Sequence, residues 1–273
     1  MKKYLIVFSL LLTTFPLFAQ DKLQHISHAQ EEQFKLRVKQ LDEFIKRFNL
    51  EIDYDGNKIK EPTADLRMEG IHRLIDAVYT RGLNEEKAAV VKEFVQQVVE
   101  NNTALSFYDN HWYAEVNVDV EYKGTSEKIT LVMQQETNTK KISRWIIRSV
   151  KADFLSVKPT KMTASLSPIS HELNFMKLMT AAEQHPDNFA NYAGTTFKED
   201  QRNVFFYLLK TGDLKMNQVD QIRYHFLQAD NWVFTVDHFE RSTDNIGWLI
   251  SDVSRVADKE KELYKLGVLG LTQ

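Results

Sequence analysis

A chain of 273 residues without a single cysteine cannot use thiol catalysis, disulfides, thiolate metal ligation or a lipidated cysteine anchor. Its formal charge of −3, from 35 Lys and Arg against 38 Asp and Glu, argues against non-specific binding to nucleic acid or to an anionic membrane. With 43% hydrophobic residues, including 17 Phe, 10 Tyr and 4 Trp, it has the apolar surface to bury real cores and the length for two of them.

The N-terminus reads as a separate object. Lys2 and Lys3 precede an apolar run from Tyr4 to Leu12, the stretch stays mostly apolar to Leu17, and Ala19 precedes Gln20-Asp21. The run is too short for a spanning helix, so residues 1–19 are expected to be a secretory signal peptide, with no transmembrane segment after cleavage. Leu17 stands where cleavage prefers a small residue, and an uncleaved N-terminal anchor is the alternative. Export without cysteine predicts a periplasmic or cell-surface location.

Phe34, Val38, Leu41, Ile45 and Phe48 step by fours and threes, which predicts a helix over 29–48. Glu51 to Pro62 is a polar loop around the Asp55-Gly56-Asn57 turn. A second helix is expected from Leu66 to Arg81, ending at Gly82. Asn84 caps a third, with Val91, Phe94, Val95, Val98 and Val99 on its apolar face and Asn101-Asn102 at its end. The period then changes to two over Tyr113–Tyr122, where Ala114, Val116, Val118 and Val120 alternate with Glu115, Asn117, Asp119 and Glu121. Turns at Lys123-Gly124-Thr125-Ser126 and Asn138-Thr139 join this strand to Ile129–Gln135 and Ile142–Ala152, giving an antiparallel meander that completes a unit over 20–158.

Residues 159–167 form a Ser/Thr/Lys/Pro linker. The second unit, 168–257, repeats the plan. Ser167-Pro168 opens a helix carrying Leu173, Met176, Leu178 and Met179, a shorter one is expected over Asn188–Tyr192, and Asp200–Thr211 forms another through Val204, Phe205 and Leu208 up to Gly212. Gln221–Gln228, a turn at Asp230-Asn231, Val233–Glu240 and Ile246–Val256 make a second meander. Residues 258–273 are a tail with a helical turn at Lys259–Tyr264. Trp145-Ile146-Ile147 with Val150 recurs as Trp248-Leu249-Ile250 with Val253 roughly a hundred residues later, an internal repeat. The fold class expected is α+β, as two similar units, each of helices followed by a curved antiparallel β-meander. Both Trp strands are read as core, which directs the search for a site to the opposite, wetter faces.

Several chemistries lack their residues. There is no Gly-rich phosphate loop and no Gly-x-Ser-x-Gly elbow. His171-Glu172 begins like a zinc-protease helix, but Phe175 stands where the second His is required, and His25 and His28 lack a third ligand. No cofactor and no metal are expected. The catalytic candidates are Asp237 and His238, a carboxylate and an imidazole on one strand that could move a proton. Pairing around Asp230-Asn231 is expected to set Arg223 opposite His238 and His225 opposite Val236. His111, Trp112, Tyr224 and His225 are candidate ligand-binding residues, because polar and aromatic groups gather there at strand entries and on a sheet face. Both sets also fit polar strand faces and core closure.

The helices 29–48, 66–81 and 84–101, the strand Tyr113–Tyr122 and the ending Trp145-Ile146-Ile147, with its second copy Trp248-Leu249-Ile250, resemble the cone-shaped α+β domains of the nuclear-transport-factor-2-like and ketosteroid-isomerase-like superfamily. The resemblance implies a sheet wrapped around a concave pocket that is catalytic, ligand-binding or a packing surface. Two functions follow as expectations: a non-catalytic exported protein that binds a small molecule or an envelope protein through concave sheet faces, as a scaffold or homodimer; or a cofactor-free pocket enzyme of ketosteroid-isomerase-like type acting on a hydrophobic small molecule.

Overall fold

The computed structural model describes residues 40–137, 143–155, 183 and 200–271. The expected signal peptide, the first part of helix 29–48, the linker 159–167 and the helices expected from Pro168 and over 188–192 lie outside the described residues. Among the described residues, no helix is long and apolar enough to cross a membrane.

Helix α1 (Leu41–Phe48) buries Phe44, Ile45 and Phe48 on one face. It closes when the Leu50 N–H donates to the Arg47 carbonyl and the Glu51 N–H to that of Lys46, the paired bonds that end a helix on a left-handed residue. Helix α2 (Ala64–Leu74) begins at Thr63, whose side chain accepts from the Leu66 N–H. The single helix expected to run on to Arg81 is in fact two. Ile75 turns extended and bridges to Ile250, and Asp76 then caps α3 (Ala77–Arg81) by accepting from the Val78 N–H. The partners that break the helix lie far along the chain, so local periodicity cannot register them. Helix α4 (Glu85–Glu100) follows the expected pattern, capped by Asn84 and burying Val91, Phe94, Val95 and Val98.

Strands β1 (Trp112–Tyr122), β2 (Thr125–Thr137) and β3 (Ser143–Lys151) form an antiparallel meander. Helix α5 (Gln201–Thr211) ends on Gly212 at φ 82, where glycine's freedom is required. A second meander follows in β4 (Leu214–Phe226), β5 (Trp232–Phe239) and β6 (Gly247–Arg255), and α6 (Lys261–Gly267) closes the described chain. Strand β4 starts well before the expected Gln221. Residues 215–221 are exposed throughout, so they carry no alternation, yet they pair with β1 through two bulges.

The fold is α+β, with six helices among the described residues and one six-stranded antiparallel sheet in the order β3-β2-β1-β4-β5-β6. The two meanders are joined edge to edge by the β1–β4 pairing. On one face the helices cross over. Those that precede the first meander pack on the second: α1, α2 and α4 bury Phe44, Phe48, Ile71 and Phe94 against Phe234, Val236, Leu249 and Ile250. Helix α5, which precedes the second meander, packs Phe205 and Leu208 on Val118, Val120, Ile129 and Leu131 of the first. An aromatic stack bridges the seam. Trp112 of β1 stacks on Phe226 of β4 (centroids 5.4 Å apart), Phe226 on Phe234 of β5 (5.1 Å), and Phe234 on Phe48 of α1 (5.6 Å). On the opposite face, the segment around α6 covers Tyr113, Val132, Leu227 and Val233 with Tyr264 and Leu269.

Phe226 sits in the middle of this stack, with no exposed surface. Phe226→Ala is expected to cost about 3–5 kcal/mol in urea unfolding, the usual range for a buried Phe. Tyr207→Ala, at a residue 64% exposed, should stay within about 0.5 kcal/mol of wild type. Equal small losses would remove the stack from its bridging role.

Candidate functional site

Between α1, the loop from Leu50 to Ile59, α2 and the start of α3 lies a cavity of about 440 Å³. That is within the roughly 300–1,000 Å³ of small-molecule sites. Leu50, Ile52, Ile59, Leu66, Gly70 and Ile75 supply its apolar lining. The loop was expected only as a polar turn. Its apolar residues Ile52 and Ile59 and the aromatic Tyr54 point to more, since a solvated turn has no need of them.

Two lining residues are locally unfavourable. Leu50 holds φ 59, the left-handed region that costs a side-chain-bearing residue about 1 kcal/mol and is normally left to glycine or asparagine. Gly70 stands inside helix α2, where glycine costs about 1 kcal/mol relative to alanine. Nothing in the packing demands it, because a Cβ there meets only Leu50 Cδ1 at 3.9 Å, an ordinary contact. What Gly70 provides is open volume beside Leu50.

The second half of the chain closes this wall through one side chain. Asn245 donates from Nδ2 to the carbonyls of Arg73 (3.0 Å) and Ile75 (2.7 Å), and its Oδ1 accepts from the Ala77 N–H (3.0 Å). It thereby satisfies the backbone groups exposed by the break between α2 and α3. Arg241 reinforces the junction by pairing with buried Asp76 and donating from Nε to the Asn245 carbonyl (3.0 Å). Arg47 is nearly buried beneath the loop and donates to Glu43 (2.5 Å) and to the Tyr54 carbonyl (2.9 Å). Asp53 accepts from the backbone N–H groups of Asp55 (2.9 Å) and Asn57 (2.8 Å). Burial is the largest influence and pushes its carboxyl up, but those bonds together hold it below the usual carboxylate range.

The residues singled out from the sequence lie elsewhere and fall into two groups on opposite faces of the sheet. Tyr224 faces the helices, half-buried between Trp112 (5.7 Å) and Trp248 (5.0 Å), and His238 packs edge-on to Trp248 (5.1 Å). Trp112 is fully buried in the stack, and its indole N–H has no hydrogen-bond partner among the described residues. His111 is exposed at the entry of β1, with Nδ1 2.7 Å from Asp109. The Trp strands were expected to be core. Leu249, Ile250, Val253 and Val150 are buried, but Trp145 is 36% exposed and Trp248 half-buried. Both lean on Tyr224, Trp145 at 6.5 Å.

His225 and Asp237 lie on the other face. The expected register was one residue off: Arg223 pairs with Asp237 and His225 with Thr235, because the connection is the loop Leu227–Asn231 rather than a tight turn at Asp230-Asn231. Asp237 and His238 are consecutive in β5 and therefore point to opposite faces in any register. The buried Asp237 carboxylate receives Arg223 in a fork, from Nε (3.0 and 3.1 Å) and from a terminal nitrogen (3.0 Å). Its lone pairs are committed to a cation, which removes the freedom a general base requires. Among the described residues, no group of three His, Asp or Glu is placed to hold a metal.

His225 is 3% exposed beneath α6, with Nδ1 2.8 Å from the Tyr264 hydroxyl. Nε2 is buried without a hydrogen-bond partner among the described residues, and a Glu115 carboxylate oxygen lies 3.8 Å away. Burial pushes the imidazole down to about 4, helped by the charges of Arg223 and Lys151 and opposed by Asp237. Burial, with the charges of Asp252 and Glu115, pushes Tyr264 up to about 12. The phenol therefore stays protonated and shares a hydrogen bond with Nδ1 whose direction follows the imidazole tautomer.

The folded chain thus favours neutral His225, whereas the unfolded chain protonates it near the ordinary value of about 6.5. The stability contribution is complete above about pH 6.5 and is lost as pH falls toward 4, by roughly 3 kcal/mol in all. Urea midpoints measured across that window should fall steeply for wild type and much less for His225→Gln. Parallel slopes would contradict the assignment.

No protein-family model matches the chain, and no curated protein and no solved structure resembles it significantly. None of these comparisons identifies the cone-shaped fold that its strand pattern resembles.

Proposed function

We propose that this chain is an exported, non-catalytic binding protein of the cell envelope that holds a small, largely apolar molecule in the cavity between α1, α2 and the loop Leu50–Ile59. The reading differs from sheet-face binding in placing the ligand among the helices. The observation that carries it is the convergence on one apolar cavity of two residues that local preference disfavours: a leucine at the left-handed end of α1, where glycine or asparagine is usual, and a mid-helix Gly70 that no close contact demands. Strained or suboptimal residues persist where function keeps them. The export part rests on the N-terminal pattern of Lys2, Lys3, the apolar run and Ala19.

The two meanders are read as copies of one unit. Support comes from their registers. Leu131 pairs with Val150 and Met133 with Ile147, and their counterparts Phe234 with Val253 and Val236 with Ile250. A bulge interrupts each pair at the corresponding place, between Val132 and Met133 and between Thr235 and Val236. Ala114, the β1 partner of Met133, pairs across the seam with Tyr224, the β4 partner of Val236. Counterparts therefore face each other, as they would across an approximate two-fold axis.

Gly70 makes the binding reading testable. Gly70→Ala should raise stability by about 0.5–1 kcal/mol through helix propensity and leave the cavity open. Gly70→Phe should stay folded and fill it. Nile red fluorescence is expected to report binding to wild type and Gly70→Ala, with at least about tenfold weaker binding to Gly70→Phe. Equal dye binding by all three would contradict the reading.

A further inference from the structure

We infer that the ligand of this cavity is an organic acid, an apolar body ending in one carboxylate. This rests on the binding reading above and adds the chemistry of the ligand's polar end. The polar atoms of the lining can be sorted by what they still offer. The acceptors are largely engaged within the protein: Asp53 takes two backbone N–H groups and the Asn57 amide, and Asn245 Oδ1 takes the Ala77 N–H. The donors are not. Arg73 directs one terminal nitrogen to Glu69 at 2.6 Å, and its remaining N–H groups bond no other described residue. The Tyr54 hydroxyl has no hydrogen-bond partner among the described residues. Burial, the largest influence, raises its pKa despite the nearby Arg73 charge, so it remains a protonated donor.

Arg73 is also held in place. Its guanidinium carbon lies 4.0 Å from the centroid of the Tyr54 ring, a cation–π contact that orients the fork without consuming its donors. The competing Glu69 is a weak rival, because both members of that i,i+4 pair are about half exposed and such pairs contribute little. The charges of the lining point the same way. Asp53, the one carboxylate of the lining, is already satisfied by its own loop, Arg47 is paired with Glu43, and Arg73 is held only by the half-exposed Glu69. A cavity with apolar walls, open donors and few open acceptors complements an apolar anion. A neutral molecule would leave the guanidinium unused, and an amine would meet it as a like charge. The planar fork of arginine matches a carboxylate in two parallel hydrogen bonds.

Calorimetric titration of the whole mature chain with decanoate, decanol and decylamine tests this. Decanoate is expected to bind at least about tenfold more tightly than either of the others, the scale of one charge-assisted hydrogen bond. Arg73→Gln should remove that advantage and leave decanol unchanged. Glu69→Gln, which releases Arg73 from its surface partner, should tighten decanoate. Both side chains are about half exposed, so both variants should fold. Decanol binding as tightly as decanoate, or decanoate indifferent to Arg73→Gln, would overturn the acid end while leaving the cavity reading intact. If none of the three binds wild type more tightly than Gly70→Phe, the cavity reading itself falls.

Discussion

The aromatic stack Trp112–Phe226–Phe234–Phe48 is the contact on which the rest of the structure depends. It runs across the β1–β4 seam and on into α1, so one set of rings ties together both meanders and the first helix. Stacked rings of this size remove large apolar areas from water and prefer defined geometries. The helices cross over because each meander's apolar face is covered by helices from the other half. Among the described residues, each core cluster draws on both halves of the chain. The seam, the crossing and the placement of α1–α3 over β5 and β6 are one constraint seen at three levels.

The cavity is a consequence of that placement. Helices α1 and α2 seat on the second meander and leave space on their outer side, which the loop Leu50–Ile59 roofs. Asn245, from the connection before β6, ties the α2–α3 break from below. The local costs at Leu50 and Gly70 are small beside the apolar burial on the other side of the same helices. The fold can therefore carry them where selection for a site retains them. The opposite face of the sheet uses its polar residues differently. Arg223 grips Asp237 across β4 and β5, and Tyr264 of α6 bonds His225, so groups that look like acid–base machinery in the sequence tie strand to strand and α6 to the sheet.

The legible parts of the fold were those governed by local physics. The cap at Asn84, the apolar stripe of α4, the alternation in β1 and the glycine stop after α5 all depend on neighbours within a few residues, and each stands where the pattern put it. What was not legible depended on distant partners. The early start of β4 has no alternation because residues 215–221 are exposed on both faces. The break at Ile75 is made by Ile250 and Asn245. A five-residue connection in place of a tight turn moved the register by one position, which set Asp237 rather than His238 opposite Arg223. The cavity left only faint traces, a glycine inside a helix and isoleucines in a polar loop, and their meaning depends on tertiary neighbours.

All but one of the cavity's lining residues belong to the first half of the chain, yet this account makes the cavity dependent on the second. Residues 20–158 and 159–273 should therefore be produced separately and then mixed, with Nile red binding and cooperative urea unfolding measured in each case. The account predicts that neither half alone binds the dye or unfolds cooperatively, and that the mixture does both. Cooperative folding and dye binding by residues 20–158 alone would contradict it.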